Sequence, residues 1–304
     1  MQDLISLTYN IDATKLIKLG EIYYLDHGTS YTYIIPVGQT KSTTFFHLLT
    51  LINRSTQLHH VFTSQGAPTV VIADQHYYCL HSTFKLHEPI NQWQLNIPVL
   101  YPAEYPLAEH FKTKWLQKNQ IHEQHLNLAL DKTPPMMRAA LFDLATYYIH
   151  LNEEAYRLLK AFAQIPFSTS LCHVRLKPDT PLYQFFMPSY LILDNRSRIY
   201  CEYIRHLFLT TCCLSQIEKI IAHISSIDPL DASEWQFLYA RLYFPTHFYD
   251  ILYDIITADV VNLDQLYDQT MNYVKLLAGL PPIVAKYTGF TLDIPSWVKD
   301  ESSR

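Results

Sequence analysis

The sequence predicts an α+β chain of two lobes, a small β-rich one over residues 1–95 and a large helical one over residues 96–304. Three observations predict it. Short β-branched and aromatic runs separated by turn residues occupy the N-terminal third. Apolar residues then recur at helical spacing from about 104 to 279. Between the two, residues 85–106 (KLHEPINQWQLNIPVLYPAEYP) are punctuated by proline and keep no period, as a connecting segment does.

The elements follow in order. EIYYLDHG and SYTYIIPVG read as two strands joined by a hairpin at His27-Gly28-Thr29. Residues 42–55 place Phe45, Leu48, Leu49 and Ile52 on one helical face, with Ser42 as cap. HHVFTS, a QGAP turn and TVVIADQHYYCLHS supply three further strands, with His59-His60 read as turn polarity. This strand–strand–helix–strand–strand–strand order is that of a kinase N-lobe. Helices are expected at about 104–130, 135–150 and 153–164, broken at Pro134-Pro135 and again where Asn152 caps Glu153-Glu154. Extended pieces near 170–175 and 189–194 precede a helical run, which includes Cys212-Cys213 and ends on Gly279 before Pro281-Pro282. Pro245 suits the first turn of its helix.

Composition excludes several classes. With 49% hydrophobic and 17% charged residues, the chain buries enough apolar surface to fold. A net charge of −5 with no basic block argues against nucleic acid as partner. The start, MQDLISLTYN, has neither a positive region nor an apolar core, so no signal peptide is expected. No apolar run approaches the ~20 residues of a membrane span. The five cysteines show no CxxC spacing and read as reduced core thiols. None of the six glycines falls between 67 and 278, which argues against a glycine-built phosphate cradle there. The 23 tyrosines divide between aromatic packing and exposed phenols available for cross-linking.

Three passages carry a family resemblance: the hairpin ending in IIPVG, CHVRLKPDT followed by PSYLILDNRSRI and EYIRHL, and LYARLYFPTHFYDILYD. Together they span nearly the whole chain. It resembles the aminoglycoside-phosphotransferase-like branch of the protein-kinase-like fold. Within that branch it is similar to the CotS and YutH group of bacterial endospore coat-associated kinase-like proteins, most of all those of YutH type. The last passage is the most group-specific.

Phosphoryl transfer on this fold uses a strand Lys paired to a helix Glu, a loop Asp as base, and an Asn and a second Asp on the metal ions. Carried over position by position, the resemblance puts Pro36 where the Lys belongs. Lys41 comes only after the turn, and no acid occurs in 42–55. In the degenerate catalytic loop 171–180, His173 matches the loop His, Val174 replaces a Gly, and Arg175 replaces the catalytic Asp. Lys177 replaces a second His, Pro178 is kept, and Thr180 replaces the metal-binding Asn. Asp194, ending the strand 189–194, matches the remaining metal-binding Asp.

An arginine stays protonated throughout the usable pH range and cannot act as a general base. It also brings positive charge to where metal ions would sit. Asp194 therefore reads as a structural carboxylate satisfied by Arg175, Arg196 or backbone donors, and Asp179 as a turn residue after proline. His173 reads as a residue that holds the loop. His122 and His125 could chelate across one helical turn, but they lack a third ligand and read as a solvated face.

The expectation is a catalytically inactive, kinase-like component of the bacterial spore coat, with no cofactor, no metal and other coat proteins as partners. The resemblance implies synthesis in the mother-cell cytoplasm and assembly into the coat. Two alternatives stay open: an atypical small-molecule phosphotransferase using Asp179 and Asp194, and a non-catalytic nucleotide- or sugar-binding module.

Overall fold

Period-two alternation builds the first sheet. Strands β1 (Ile17–Leu19), β2 (Ile22–Asp26), β3 (Tyr31–Pro36), β4 (His59–Phe62), β5 (Val70–Ile72) and β6 (Gln75–Ser82) are antiparallel. They lie in the order β1-β2-β3-β6-β4, with β5 also paired to β6. Successive side chains leave opposite faces. Ile22, Tyr31, Tyr33, Ile35, Tyr78 and Leu80 thus join one buried cluster, and Leu25, Ile34, Tyr77 and Cys79 a second.

In this computed structural model the described residues are 12–38, 59–62, 70–72, 75–83, 85, 86, 88, 99–101, 107–160, 169–258 and 263–295. The helix expected over 42–55, its Ser42 cap and Lys41 lie outside them, as does most of the connection 85–106. His59 and His60, expected in a turn, instead open β4, in register with Ser82 and His81. The long strand β6 extends that far and pairs with them.

Pro36 ends a central strand, where a residue lacking N–H is normally excluded. The register explains its presence. The Val37 N–H donates to the His76 carbonyl at 2.8 Å, which sets the N–H groups of odd-numbered β3 residues toward β6 and those of even-numbered ones toward β2. β2 begins at Ile22, one residue short of facing Pro36. No ladder bond is therefore lost.

A second sheet holds β7 (Val99–Tyr101), β8 (Thr169–His173) and β9 (Leu191–Asp194). The chain forms two compact units, residues 1–101 with 169–194, and residues 102–168 with 195–304. The segments 171–180 and 189–194, expected beyond residue 95 in the helical part, therefore group with the N-terminal strands. Packing is the reason, since Leu171, Met187 and Leu191 are buried in the same cluster as Tyr33 and Tyr78. The backbone is fastened as well. The Leu86 N–H donates to the Tyr33 hydroxyl at 2.8 Å, and the Tyr183 N–H to the Leu86 carbonyl at 2.6 Å. Tyr78 donates its hydroxyl to the Phe186 carbonyl.

The second unit is helical: α1 (Leu107–Lys132), α2 (Pro135–Lys160), α3 (Ser197–Thr211), α4 (Leu214–Ile227), α5 (Ala232–Tyr243), α6 (Thr246–Ala258) and α7 (Leu263–Thr288). No described helix is long and apolar enough to cross a membrane. The break expected at Asn152 does not occur. Asn152 is buried inside α2, because the stripe Tyr148, Leu151, Asn152, Ala155, Leu158 and Leu159 keeps helical spacing through it.

Nor does α7 stop at Gly279. It contains Pro281 and Pro282 and runs on to Thr288, ending at Gly289 with φ +76°. Pro281 cannot donate to the Leu277 carbonyl four residues back. The Tyr239 hydroxyl donates to that carbonyl instead, at 2.7 Å. Gly279 serves close approach, since a Cβ there would meet Leu214 Cδ1 at 2.6 Å. Cys212 and Cys213 are not within a helix. They join α3 to α4, Cys212 taking a left-handed φ of 51°. Cys79, Cys172 and Cys201 are the buried thiols, while Cys212 is exposed.

The group-specific RLYFP passage is a helix end built around a buried cation. Arg205, 1% exposed, donates to the Arg241 carbonyl at 2.6 Å and the Phe244 carbonyl at 3.2 Å, where α5 ends. It also donates to Thr246 Oγ1 at 2.7 Å and Glu202 Oε1 at 2.8 Å. Tyr273 adds a bond to the Leu242 carbonyl at 2.6 Å. A fixed positive charge and extra donors are what the carbonyl end of a helix lacks.

Candidate functional site

The residues that follow β8 form a self-closed loop. Lys177-Pro178-Asp179-Thr180 is a turn with Pro and Asp at its centre, as their backbone preferences favour. The Thr180 N–H donates to the Lys177 carbonyl at 3.1 Å, and the Lys177 N–H returns a bond to Thr180 Oγ1 at 2.9 Å. Thr180 is buried, so its hydroxyl serves the turn. The Val174 N–H donates to the Tyr190 carbonyl at 2.8 Å, which ties the loop to the start of β9.

His173 is 1% exposed and organises the loop from beneath. Its Nδ1 accepts the Arg175 N–H at 3.2 Å, and its Nε2 lies 3.2 Å from Gln184 Oε1. These bonds fix one neutral tautomer: Nδ1 carries no proton and Nε2 donates. The ring stacks on Tyr190 with 5.8 Å between centroids and 4° between planes. The Tyr190 hydroxyl donates to Glu21 Oε1 at 3.2 Å. Burial and then the neighbouring Glu21 charge raise the pKa of that phenol above its ordinary value.

Above His173 lies a cavity of about 460 Å³, lined by His173, Val174, Arg175, Lys177, Asp179, Thr180, Pro181, Gln184, Ser189 and Tyr190. Of the positions singled out in the sequence, His173, Arg175, Asp179 and Thr180 come together here. Gln184, Ser189 and Tyr190 were missed, because the 3-10 turns that carry them have no regular period to read.

Asp194 and Pro36 are not part of this cavity. The β8–β9 register pairs His173 with Leu191 at one end and Ser170 with Asp194 at the other, three residue steps away, or ~10 Å. Paired residues share a face and successive residues alternate. Asp194 therefore shares a face with Ser170 and Cys172, and His173 takes the opposite one. Asp194 is 1% exposed, and its carbonyl accepts the Cys172 thiol at 3.6 Å.

Arg196, one of the partners expected for Asp194, is engaged elsewhere. It grips Glu234 through Nε at 2.9 Å and Nη2 at 2.8 Å, and also bonds Asp228 and the Pro229 carbonyl. The Asn195 side-chain oxygen accepts the Ser197 N–H at 2.9 Å, and Glu234 completes a capping box with Asp231. The DNRSR passage thus fastens the start of α3 to the start of α5.

The described lining residues do not by themselves make a donor set for a magnesium nucleotide. Mg²⁺ takes oxygen ligands, with carboxylates and phosphates meeting on one ion. Among the described lining residues Asp179 is the one carboxylate, beside Arg175 and Lys177, while Thr180 Oγ1 already accepts a backbone N–H. Among the described residues no three His, Cys, Asp or Glu side chains gather as a metal site would. His122 and His125, expected on a solvated face, are half-buried, and His122 stacks on Tyr249 with centroids 3.3 Å apart. Among the described residues eleven tyrosines are buried, Tyr33, Tyr78, Tyr148, Tyr200, Tyr239, Tyr243 and Tyr273 among them. Tyr253 and Tyr267, each 56% exposed, are not among these.

Comparison with known proteins agrees with this architecture. The family model described as "Spore coat putative kinase YutH" matches residues 101–275. The chain is 30% identical over 115 residues to the endospore coat-associated protein YutH of Bacillus subtilis (strain 168), an alignment covering 35% of this chain and 34% of that protein. The match thus spans about a third of the curated relative. Among solved structures, an aminoglycoside phosphotransferase from Alicyclobacillus acidocaldarius subsp. acidocaldarius DSM 446 superposes with a TM-score of 0.62 at 15% identity, covering 90% of this chain and 92% of that one. The fold is therefore aminoglycoside phosphotransferase-like.

Proposed function

Because this chain belongs to the YutH family of spore coat kinase-like proteins, we propose that it is a non-catalytic, structural or interaction component of the bacterial endospore coat. It is made in the mother cell and binds other coat proteins. One observation carries the reading: Arg175 lines the loop cavity, and the family resemblance assigns its position to the anionic base of phosphoryl transfer. Losing a general base costs ~10²–10⁴ in rate. The strand lysine has become Pro36, and Thr180 has taken the place of a metal ligand, so the remaining electrostatic terms are lost with it. The register of β8 and β9 adds support, because Asp194 is not among the described residues that line the cavity with Asp179.

The test is direct. Purified protein is incubated with Mg-ATP and small hydroxyl and amine acceptors, and ADP release is followed alongside thermal stability. No turnover and no magnesium-dependent shift are expected. Sustained ADP release abolished by Asp179→Asn would establish instead an atypical phosphotransferase.

A further inference from the structure

We propose that His27 and His81 hold a transition-metal ion of the imidazole-seeking class at one end of the N-terminal sheet. The two rings stand 6.2 Å apart between centroids, with 43° between planes. An ion bonded ~2.0–2.1 Å from one nitrogen of each ring spans ring centres about 5–6.5 Å apart, depending on the angle at the metal. The observed spacing falls inside that range.

The sheet register brings the two rings together. Thr32 of β3 pairs with His81 of β6, and Leu25 of β2 pairs with Thr32. Paired residues share a face, here the face of the buried cluster that holds Leu25, Ile34, Tyr77 and Cys79. His27 follows β2 in the turn to β3. Its N–H donates to the Ser30 carbonyl at 2.9 Å, and the Gly28 N–H donates to Asp26 Oδ1 at 2.7 Å, so the turn is closed. The Nε2 of His27 lies 2.9 Å from Oγ1 of buried Thr32. With Nε2–H donated to that hydroxyl, Nδ1 presents its lone pair. A ligating imidazole uses one nitrogen and keeps the other on a neighbouring group, as His27 does on Thr32. The site asks one nitrogen of His81 and no more.

Ligand chemistry selects the ion. Imidazole nitrogen suits Zn²⁺, Cu²⁺ and Ni²⁺, whereas Mg²⁺ and Ca²⁺ require oxygen. Two rings leave the remaining positions to water or to a further side chain. His60 is the residue in register for that place, standing opposite His81 where β4 meets β6. An ion on both rings ties the β2–β3 turn to β6. His122 and His125 on α1 make a contrast. Their centroids are also 6.2 Å apart, but His122 is stacked on Tyr249 and its Nδ1 is buried.

The untagged full-length protein is titrated calorimetrically with Zn²⁺, and its Tm is followed with and without the ion. Saturable binding and a raised Tm are expected. Cu²⁺ should bind more tightly still and Mg²⁺ not at all. Zinc affinity should fall about tenfold or more in His27→Ala and, separately, in His81→Ala. It should fall about tenfold in Thr32→Val, the loss expected when the group behind a ligand is removed, and recover in Thr32→Ser. His27 is exposed, so its variant tests the site without a loss of packing. His125→Ala should leave affinity unchanged. A further fall in His60→Ala places a third imidazole beside the pair, and no change there leaves the pair as argued. No zinc binding, binding indifferent to both His27→Ala and His81→Ala, or a loss in His125→Ala as large as theirs overturns the proposal. The outcome is independent of Mg-ATP turnover, so the non-catalytic reading stands or falls apart from it.

Discussion

Arg205 and Arg175 show how differently one residue type can be used within a single chain. Arg175 is half-buried at the rim of a cavity, whereas Arg205 is sealed among Glu202, Thr246 and Tyr273 and the last carbonyls of α5. Replacing Arg205 by Met would strand the Glu202 charge and uncap α5. Breaking a buried pair from one side costs ~3–5 kcal/mol. Arg205→Lys keeps the charge but cannot reach several acceptors with one ammonium, and a loss of ~2 kcal/mol is expected. Urea unfolding of the two variants checks both values. A loss below ~1 kcal/mol for Arg205→Met would show that the cluster contributes little beyond packing. The residues of the most family-specific passage thus have a structural task that can be measured without knowing any partner.

At the level of elements, α7 tolerates Pro281 because a side chain from another helix supplies the donor that Pro281 lacks. Tyr239→Phe should leave the Leu277 carbonyl buried without that bond, at a cost of ~1–3 kcal/mol. Pro281→Ala restores a backbone N–H that can take over. The double variant should therefore lose less than the two single variants summed, by ~1 kcal/mol or more. Strict additivity in denaturant unfolding would sink the explanation.

The contact between α1 and α6 gives a second prediction. His122 stacks on Tyr249 beside Phe244, and burial, then Lys118 and His125, push its pKa from 6.5 down to about 3. The unfolded chain takes up this proton below 6.5, and the folded one only near 3. Stability is thus full above the upper value and declines as pH falls through the window. The fall in Tm between neutral and mildly acidic pH should be shallower in His122→Phe than in the parent. Parallel slopes would acquit His122.

For the whole molecule, the sequence made the sheet-then-helix order legible because period-two and period-3.6 patterns are local. The loop positions His173, Arg175, Asp179 and Thr180 were legible for a similar reason, lying within one short motif. What was not legible depends on contacts distant in sequence. Asn152 is a different case, a local capping signal that the apolar spacing running through it outweighs, but nothing in residues 262–282 announces that Tyr239 will replace the donor a proline lacks. Likewise, nothing near 169–194 says that this segment joins strands more than a hundred residues earlier.

That last point has a testable consequence. Leu171, Met187 and Leu191 are 5%, 1% and 7% exposed, all in the cluster with Tyr33 and Tyr78. Removing three such side chains forfeits ~5–9 kcal/mol at ~1.5–3 each, comparable with the ~5–15 kcal/mol that holds a domain together. A 1–101 fragment should therefore fail to fold cooperatively. Ser170 pairs with Asp194, so the ends of the inserted segment lie side by side and a short glycine-serine linker can replace 169–194 within 102–304. That chain keeps every helix-to-helix contact of its unit and should retain a helical circular dichroism spectrum with a single urea transition. A folded 1–101 fragment, or an unfolded linked helical unit, would mean that the division of the chain follows sequence order after all.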